Sequence, residues 1–261
     1  MKLNEYKAVL TPNVLLVPYS EHHVPTYHEW MKDEELQKAT ASEPLTLDQE
    51  HLMQHSWRED ADKLTFITCL TPPSTVTVDK SQETSLKDKK FKLTPGKEDA
   101  SDRMIGDVNL FLYADDGDNG EVDRRLTDEK TRSIIHERNL QGVVGEVEIM
   151  VARKEFQGKG LGKEILLAFL WYIVSSFVDI TNEYHRSHGR GKTISHLKYL
   201  RVKIDGENAR SIKLFEGAGF KKVDEKPNYF GELELRWPIS VRSLNDIELN
   251  QEAVPLIVDY K

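Results

Sequence analysis

Residues 145–177 join three patterns that constrain one another: an alternating strand, a glycine-rich turn and a long apolar helix. From Gly145 to Ala152, Glu146, Glu148 and Met150 alternate with Val147, Ile149 and Val151. A period of two puts the first three on one face of a strand and the others on the opposite face. The turn Gln157-Gly158-Lys159-Gly160-Leu161-Gly162 follows, and Lys163 to Phe177 is apolar nearly all round, as in a helix buried against a sheet. Glycines let a phosphate approach backbone N–H groups, and a helix N-terminus adds a favourable dipole, so a pyrophosphate would fit here. The turn by itself fits a tight strand-to-helix connection as well. Two other phosphate loops fail on spacing, since a dinucleotide fingerprint needs Gly or Ala where Lys163 stands and a Walker loop needs Ser or Thr where Glu164 stands.

The flanking sequence reads as one α/β domain over residues 1–240. Val14 to Val17 is a strand ended by Pro18, His22 to Leu36 a helix, and Thr46 with Gln49 a capping box opening a second helix with Leu47, Leu52, Met53 and Trp57 on its apolar face. Leu64 to Leu70, Met104 to Tyr113 and Lys198 to Ile204 are strands; Asn208 caps a short helix stopped by Gly217 and Gly219; Phe220 to Val223 with Tyr229 to Trp237 form a closing hairpin. Three polar insertions interrupt this order, at about 72–102, 114–141 (with a short helix between Thr127 and Arg138) and 181–196, and residues 241–261 read as a C-terminal tail.

A net charge of -8 argues against a general nucleic-acid binder, whose phosphates need clustered Lys and Arg, and favours a cationic partner. Cys69 is the single cysteine, so there is no intramolecular disulfide and no Cys-based zinc site. His22, His23, His28, His51 and His55 lack the His-Glu-x-x-His order of a zinc site, and no metal is expected. No stretch approaches the roughly 18 to 20 apolar residues of a membrane span. The expected location is the cytoplasm, with the nucleus open to it.

Gln157-x-x-Gly160-x-Gly162 after the strand Glu146 to Ala152 resembles the acetyl-CoA motif of the GNAT superfamily, and the run from Asn208 to Gly219-Phe220 resembles its next element. Leu16-Val17-Pro18-Tyr19, His28-Glu29-Trp30-Met31, the run from Ala41 to Leu47 and Gly106-Asp107-Val108-Asn109-Leu110-Phe111-Leu112 are similar to the N-acetyltransferase 9-like branch. The resemblance covers roughly residues 1–70, 104–113 and 143–237. It implies a mixed, mostly antiparallel central sheet flanked by helices. It also implies acetyl-CoA as co-substrate, with Met150, Val151 and Ala152 on the pantetheine arm, Gln157, Gly158, Lys159, Gly160, Leu161, Gly162 and Lys163 at the pyrophosphate, and Asn208 near pantetheine or substrate.

Acetyl transfer to an amine needs a proton acceptor, and Glu146 and Glu148 are the candidates. Glu146 lies eleven residues before Gln157, the spacing at which histone-acetyltransferase relatives place their base, which puts it ahead of Glu148. The tyrosine that many relatives use to protonate the leaving sulfur is replaced by Phe215, and Tyr229 in the hairpin turn is the candidate substrate contact. The function expected is N-acetylation of a protein or peptide amine. The alternative is an acetyl-CoA-binding or microtubule-associated protein that acts by association, with tubulin or another cytoskeletal protein as partner.

Overall fold

Strands that are apolar at successive positions, such as Val14–Pro18, require cover on both faces of a sheet, and here each face has its own hydrophobic cluster. The computed structural model describes residues 1–73, 92–115, 141–189, 195–239 and 243–261. Among these, ten strands form one sheet. They are β1 (Lys7–Leu10), β2 (Val14–Pro18), β3 (Lys63–Leu70), β4 (Lys92–Leu93), β5 (Met104–Ala114), β6 (Gln141–Val151), β7 (Ser195–Asp205), β8 (Lys221–Lys222), β9 (Glu232–Pro238) and β10 (Leu256–Tyr260). Their order is β4-β10-β1-β2-β3-β5-β6-β7-β9-β8. Every pairing is antiparallel except β10 with β4 and β6 with β7.

Helices α1 (Val24–Trp30), α2 (Glu34–Ala39) and α3 (Leu47–Glu59) lie between β2 and β3; α4 (Leu161–Ser175) and α5 (Phe177–Ser187) connect β6 to β7; α6 (Ala209–Gly217) follows β7 and α7 (Ser243–Leu249) precedes β10. On one face α4 buries Ile165 through Leu170, and Phe66 of β3 meets Phe169 and Tyr172 edge-on with ring centroids 6.0 and 5.1 Å apart. The opposite face holds Leu15, Val17, Ile67, Cys69 and Met150 against Tyr19, Val24, Tyr27 and Met31. The alternation in β6 is thus used as its period requires, with Val147 in the α4 cluster and Met150 in the other. No single helix among the described residues is long and apolar enough to cross a membrane.

Several boundaries differ from those the composition suggests. The helix expected from His22 to Leu36 is divided, because the Asp33 side chain accepts from the N–H groups of Glu35 and Leu36 and starts α2 afresh. The capping box of α3 forms as expected, but Leu47 and Leu52 are exposed and Glu50 and Gln54 are the buried residues. The 72–102 insertion is corrected at its end: from 92 onward it packs on the domain, where β4 pairs with β10 and Asp99 is fully buried. The 181–196 insertion begins inside α5, whose Ile180, Thr181 and Tyr184 are buried.

The tail is likewise built in from 243 onward. Trp171 Nε1 of α4 donates to Glu248 at 3.0 Å, and β10 pairs with β1 from Lys7↔Asp259 to Leu10↔Leu256. Apolar side chains anchor the segment too, Ile247 in the α4 cluster and Val258 and Tyr260 in the opposite one. Most of the 114–141 insertion, with its expected helix from Thr127 to Arg138, lies outside the described residues.

Asp99 is the point where these late segments meet the start of the chain. Its Oδ2 accepts from His22 Nε2 at 2.9 Å, from His23 Nε2 at 2.8 Å and from the Tyr260 hydroxyl, while Oδ1 accepts from Gly96 N–H at 2.7 Å. Burial alone would raise its pKa, but the hydrogen bonds from His22, His23 and Tyr260 hold it well below the usual carboxylate range. A depressed carboxylate contributes stability that is present at neutral pH and lost as pH falls. Asp99→Ala strands buried donors and is expected to cost about 3 kcal/mol or more in urea unfolding at pH 7. The gap to wild type should narrow in acid; a cost under about 1 kcal/mol would show that Asp99 holds nothing together.

Candidate active site

The parallel pairing of β6 with β7 runs from Gln141↔Ser195 to Glu146↔Arg201 and stops there. Beyond that register, among the described residues, β6 continues to Val151 bonded only to β5, and β7 continues to Asp205 bonded only to β9. Two parallel strands therefore part company and leave facing edges without a strand partner. At the fork, Arg201 Nε donates to Glu146 Oε2 at 2.6 Å, and Lys203 Nζ lies 3.8 Å from the same oxygen. A cavity of about 470 Å3 opens between the diverging strands. It is lined by Glu146, Glu148 and Met150 from β6, by Val202 and Ile204 from β7, and by Phe215 from α6.

Below the fork the chain makes its glycine turn. Gly158 and Gly160 adopt φ of 72° and 84°, the left-handed region that penalises any side chain. The N–H groups of Gly158, Lys159, Gly160, Leu161 and Gly162 make no hydrogen bond among the described residues. Their arrangement at the start of a fifteen-residue buried helix suits an anion. Gln157 fixes the turn from both sides: its Nε2 donates to Val151 O at 2.7 Å, and its Oε1 accepts from Arg210 Nη1 of α6 at 2.6 Å. Lys159 leans over the Phe156 ring at 5.5 Å and Lys163 is exposed.

Met150 and Ala152 are buried and Val151 is half-buried where β6 leaves the sheet. Here Gly106 of β5 explains itself: a Cβ on it would lie 1.8 Å from Met150 O. Only glycine lets β5 and β6 approach so closely, with Ala152 N–H donating to Ile105 O at 2.8 Å just beyond. Asn208 caps α6, its Oδ1 accepting from Ser211 N–H at 3.1 Å, and also lines the cavity. Phe215 is core packing, meeting Phe220 edge-on at 5.0 Å. Tyr229 is 97% exposed at the hairpin tip; its neighbour Phe230 reaches the cavity rim.

The two glutamates differ in setting. Glu146 is held by Arg201 and Lys203. Glu148 is exposed into the cavity and makes no hydrogen bond or ion pair among the described residues; partial desolvation by the cavity walls, then the charges of Asp107 and Glu146, push its pKa up to about 7. Asp107, raised to about 6 by burial, accepts from Asn109 Nδ2 at 2.9 Å and from the Tyr27 hydroxyl at 3.3 Å. Tyr27, Asp107, Asn109, Arg201 and Lys203 were not legible as site residues. The available signal was Asp107-Val108-Asn109, two polar side chains two apart in an otherwise apolar strand, which must share a face.

His22, His23 and Asp99 could in principle hold a metal, since their ligand atoms lie within 4.8 Å of one another. Ser20 N–H donates to His23 Nδ1 at 3.0 Å, however, so the ring proton sits on Nε2, the atom aimed at Asp99. That nitrogen is a donor to a carboxylate and is closed to a cation. His51 and His55 are half-buried and exposed on α3, and neither belongs to such a cluster.

Residues 13–221 match the profile described as an acetyltransferase (GNAT) domain. The chain is 40% identical over 241 residues to an N-acetyltransferase 9-like protein of Schizosaccharomyces pombe, covering 90% of this chain and 97% of the relative. It is 37% identical over 241 residues to alpha/beta-tubulin-N-acetyltransferase 9 of Homo sapiens, covering 92% and 87%, and 36% identical over 245 residues to the Drosophila melanogaster protein of that name, covering 94% and 93%.

Gly106→Ala tests the close approach of β5 to β6. The added methyl cannot fit against Met150 O, so the strands must separate where β6 leaves the sheet, at a cost of about 1 to 3 kcal/mol or more. Chemical denaturation should register that loss; stability equal to wild type would show that the strands have room to spare.

Proposed function

The chain belongs to the GNAT acetyltransferase family, and from that premise we propose that its acetyl transfer from acetyl-CoA ends on a protein amine in the cytoplasm, with tubulin, the acceptor in the names of the human and fly relatives, as substrate. The observation that carries the reading is the fork between β6 and β7, with N–H groups at its base and a carboxylate on its wall that have no partner among the described residues. Bound acetyl-CoA supplies an acetyl thioester. The turn from Gln157 to Lys163 holds the pyrophosphate, chiefly through the N–H groups of Gly158 to Gly162, which have no partner among the described residues, and the free edge of β6 at Met150, Val151 and Ala152 takes the pantetheine arm. Asn208 lies on the same wall.

Glu148 is the group suited to take the ammonium proton. A base with a pKa of about 7 is substantially ionised at neutral pH and strong enough to accept a proton there. Glu146, engaged by Arg201 and Lys203, secures the fork instead. As the N–C bond forms and the C–S bond breaks, one ammonium proton goes to Glu148 and a second leaves with the sulfur. Phe215 has no proton to offer, and a thiol of pKa about 8.5 is a tolerable leaving group without one. Five carboxylates but only two lysines line the cavity, Asp107, Glu146, Glu148, Asp205 and Glu232 against Lys38 and Lys203, which favours a cationic acceptor. Tyr229 and Phe230 offer the acceptor protein an aromatic contact beside the cavity mouth.

Acetyl-CoA at a hundred times its dissociation constant should stabilise the protein by about 2.7 kcal/mol. Gly162→Asp should abolish that shift while Gly162→Ala keeps it, since an alanine Cβ meets Leu214 and Val151 only at 3.6 and 4.0 Å. An undiminished shift in folded Gly162→Asp would refute the loop assignment. With purified tubulin and an amine-bearing peptide library as acceptors, Glu148→Gln should lower kcat/KM at pH 7 roughly 10²-fold, and wild-type activity should fall as pH drops below about 7 and the base is protonated. A greater loss in Glu146→Gln than in Glu148→Gln would reverse the roles, and no turnover in wild type would favour a protein that acts by association.

A further inference from the structure

The floor of the cavity carries hydrogen-bond acceptors with nothing to accept. Asn109 lies opposite Glu148 in the β5–β6 register and Asp107 opposite Met150, so both β5 side chains share the cavity face with Glu148. Asn109 is 4% exposed and lines the cavity. Its Nδ2 donates to Asp107 Oδ2, which fixes the orientation of the amide, because a flip would press carbonyl against carboxylate. The Asn109 Oδ1 is then left buried without a partner among the described residues. A buried acceptor in that state is costly unless a donor arrives with a ligand. Asp107 meanwhile is kept available as a charge by its two donors, Asn109 and the Tyr27 hydroxyl.

We propose that Asn109, Asp107 and Glu148 form a seat for the primary ammonium of the acceptor, in which Asn109 Oδ1 and the Glu148 carboxylate each accept one of its N–H bonds and Asp107 supplies a second negative charge beneath the cation. The seat rests on the reading of this cavity as the acceptor site. An ammonium brings three donors and a positive charge. The seat offers a neutral acceptor, a charged acceptor and a further carboxylate, so it selects a primary amine in its cationic form over an alcohol or a tertiary amine. Once Glu148 has taken a proton, the neutral amine still has an N–H for Asn109 Oδ1, which orients its lone pair. Asn109 and Asp107 are therefore binding and positioning residues, and Glu148 alone accepts the proton. Among the described residues, the other charged or titratable groups around Glu148 are Glu146 on its own strand, Tyr113 on β5, Tyr27 on α1, Lys38 on α2, Arg201, Lys203 and Asp205 on β7 and Glu232 on β9.

The experiment is steady-state kinetics on the full chain with the acceptor varied, across pH, for wild type, Asn109→Leu, Asp107→Asn and Glu148→Gln, with an acetyl-CoA thermal shift on each. Asn109→Leu should raise the acceptor KM at least tenfold with the acetyl-CoA shift intact. Asp107→Asn, nearly isosteric, should raise KM too, and should move the acid limb of the rate profile to lower pH, because removing a neighbouring negative charge eases ionisation of Glu148. A merely structural role would not move that limb. Wild-type acceptor KM and an unmoved limb in both folded variants, with Glu148→Gln impaired, would overturn the seat and leave the acceptor-site reading standing. Unchanged kinetics in Glu148→Gln would overturn that reading itself. If Asn109→Leu does not fold, the KM and pH profile of Asp107→Asn decide the question alone.

Discussion

Two parallel strands that separate leave backbone groups facing each other with no strand between them, and the rest of this site follows from that opening. The separation begins at Glu146↔Arg201, where the last paired residues also carry a 2.6 Å ion pair. Unmatched N–H and C=O groups in a half-buried wedge need partners, and an extended, polar arm can supply them. Gly106 keeps β5 against β6 where β6 departs, and Gln157 ties the following turn back to Val151. Cofactor turn, strand edge and acid pair are thereby held in one frame made by secondary structure, with little left to loop conformation.

Neighbouring side chains then differentiate two glutamates that look alike in sequence. Glu146 and Glu148 are two residues apart on one face, yet one has Arg201 and Lys203 beside it and the other has Asp107. A neighbouring anion makes a carboxylate more basic, so a single strand carries both an ion-paired glutamate and a glutamate of raised pKa. Net charge has the same sign at a larger scale, the chain and the cavity both being acidic.

The strand, turn and helix around residues 145–177 were legible in sequence because periodicity and glycine positions follow directly from local geometry. Cross-strand partners were not legible. Arg201 and Asp107 come from distant parts of the chain, and no local pattern says that they face the same six residues of β6. Glu50 and Gln54 occupy the buried side of α3, where apolar residues were expected, because Gln54 Nε2 reaches Tyr19 O at 2.9 Å and Glu50 lies near His28. Polar composition misled at 92–102, which Asp99 holds by hydrogen bonds, whereas the C-terminus packs Ile247, Val258 and Tyr260 into clusters formed by distant strands and helices that no local pattern announces.

Amide hydrogen exchange with and without acetyl-CoA tests the fork most directly, since it reads the individual N–H groups that the ligand would engage. Added acetyl-CoA should slow exchange at Gly158 to Gly162 and along Val147 to Val151, where β6 has lost β7 as a partner, and leave β1 and β10 unchanged. Protection elsewhere in the sheet with none at these positions would contradict the account.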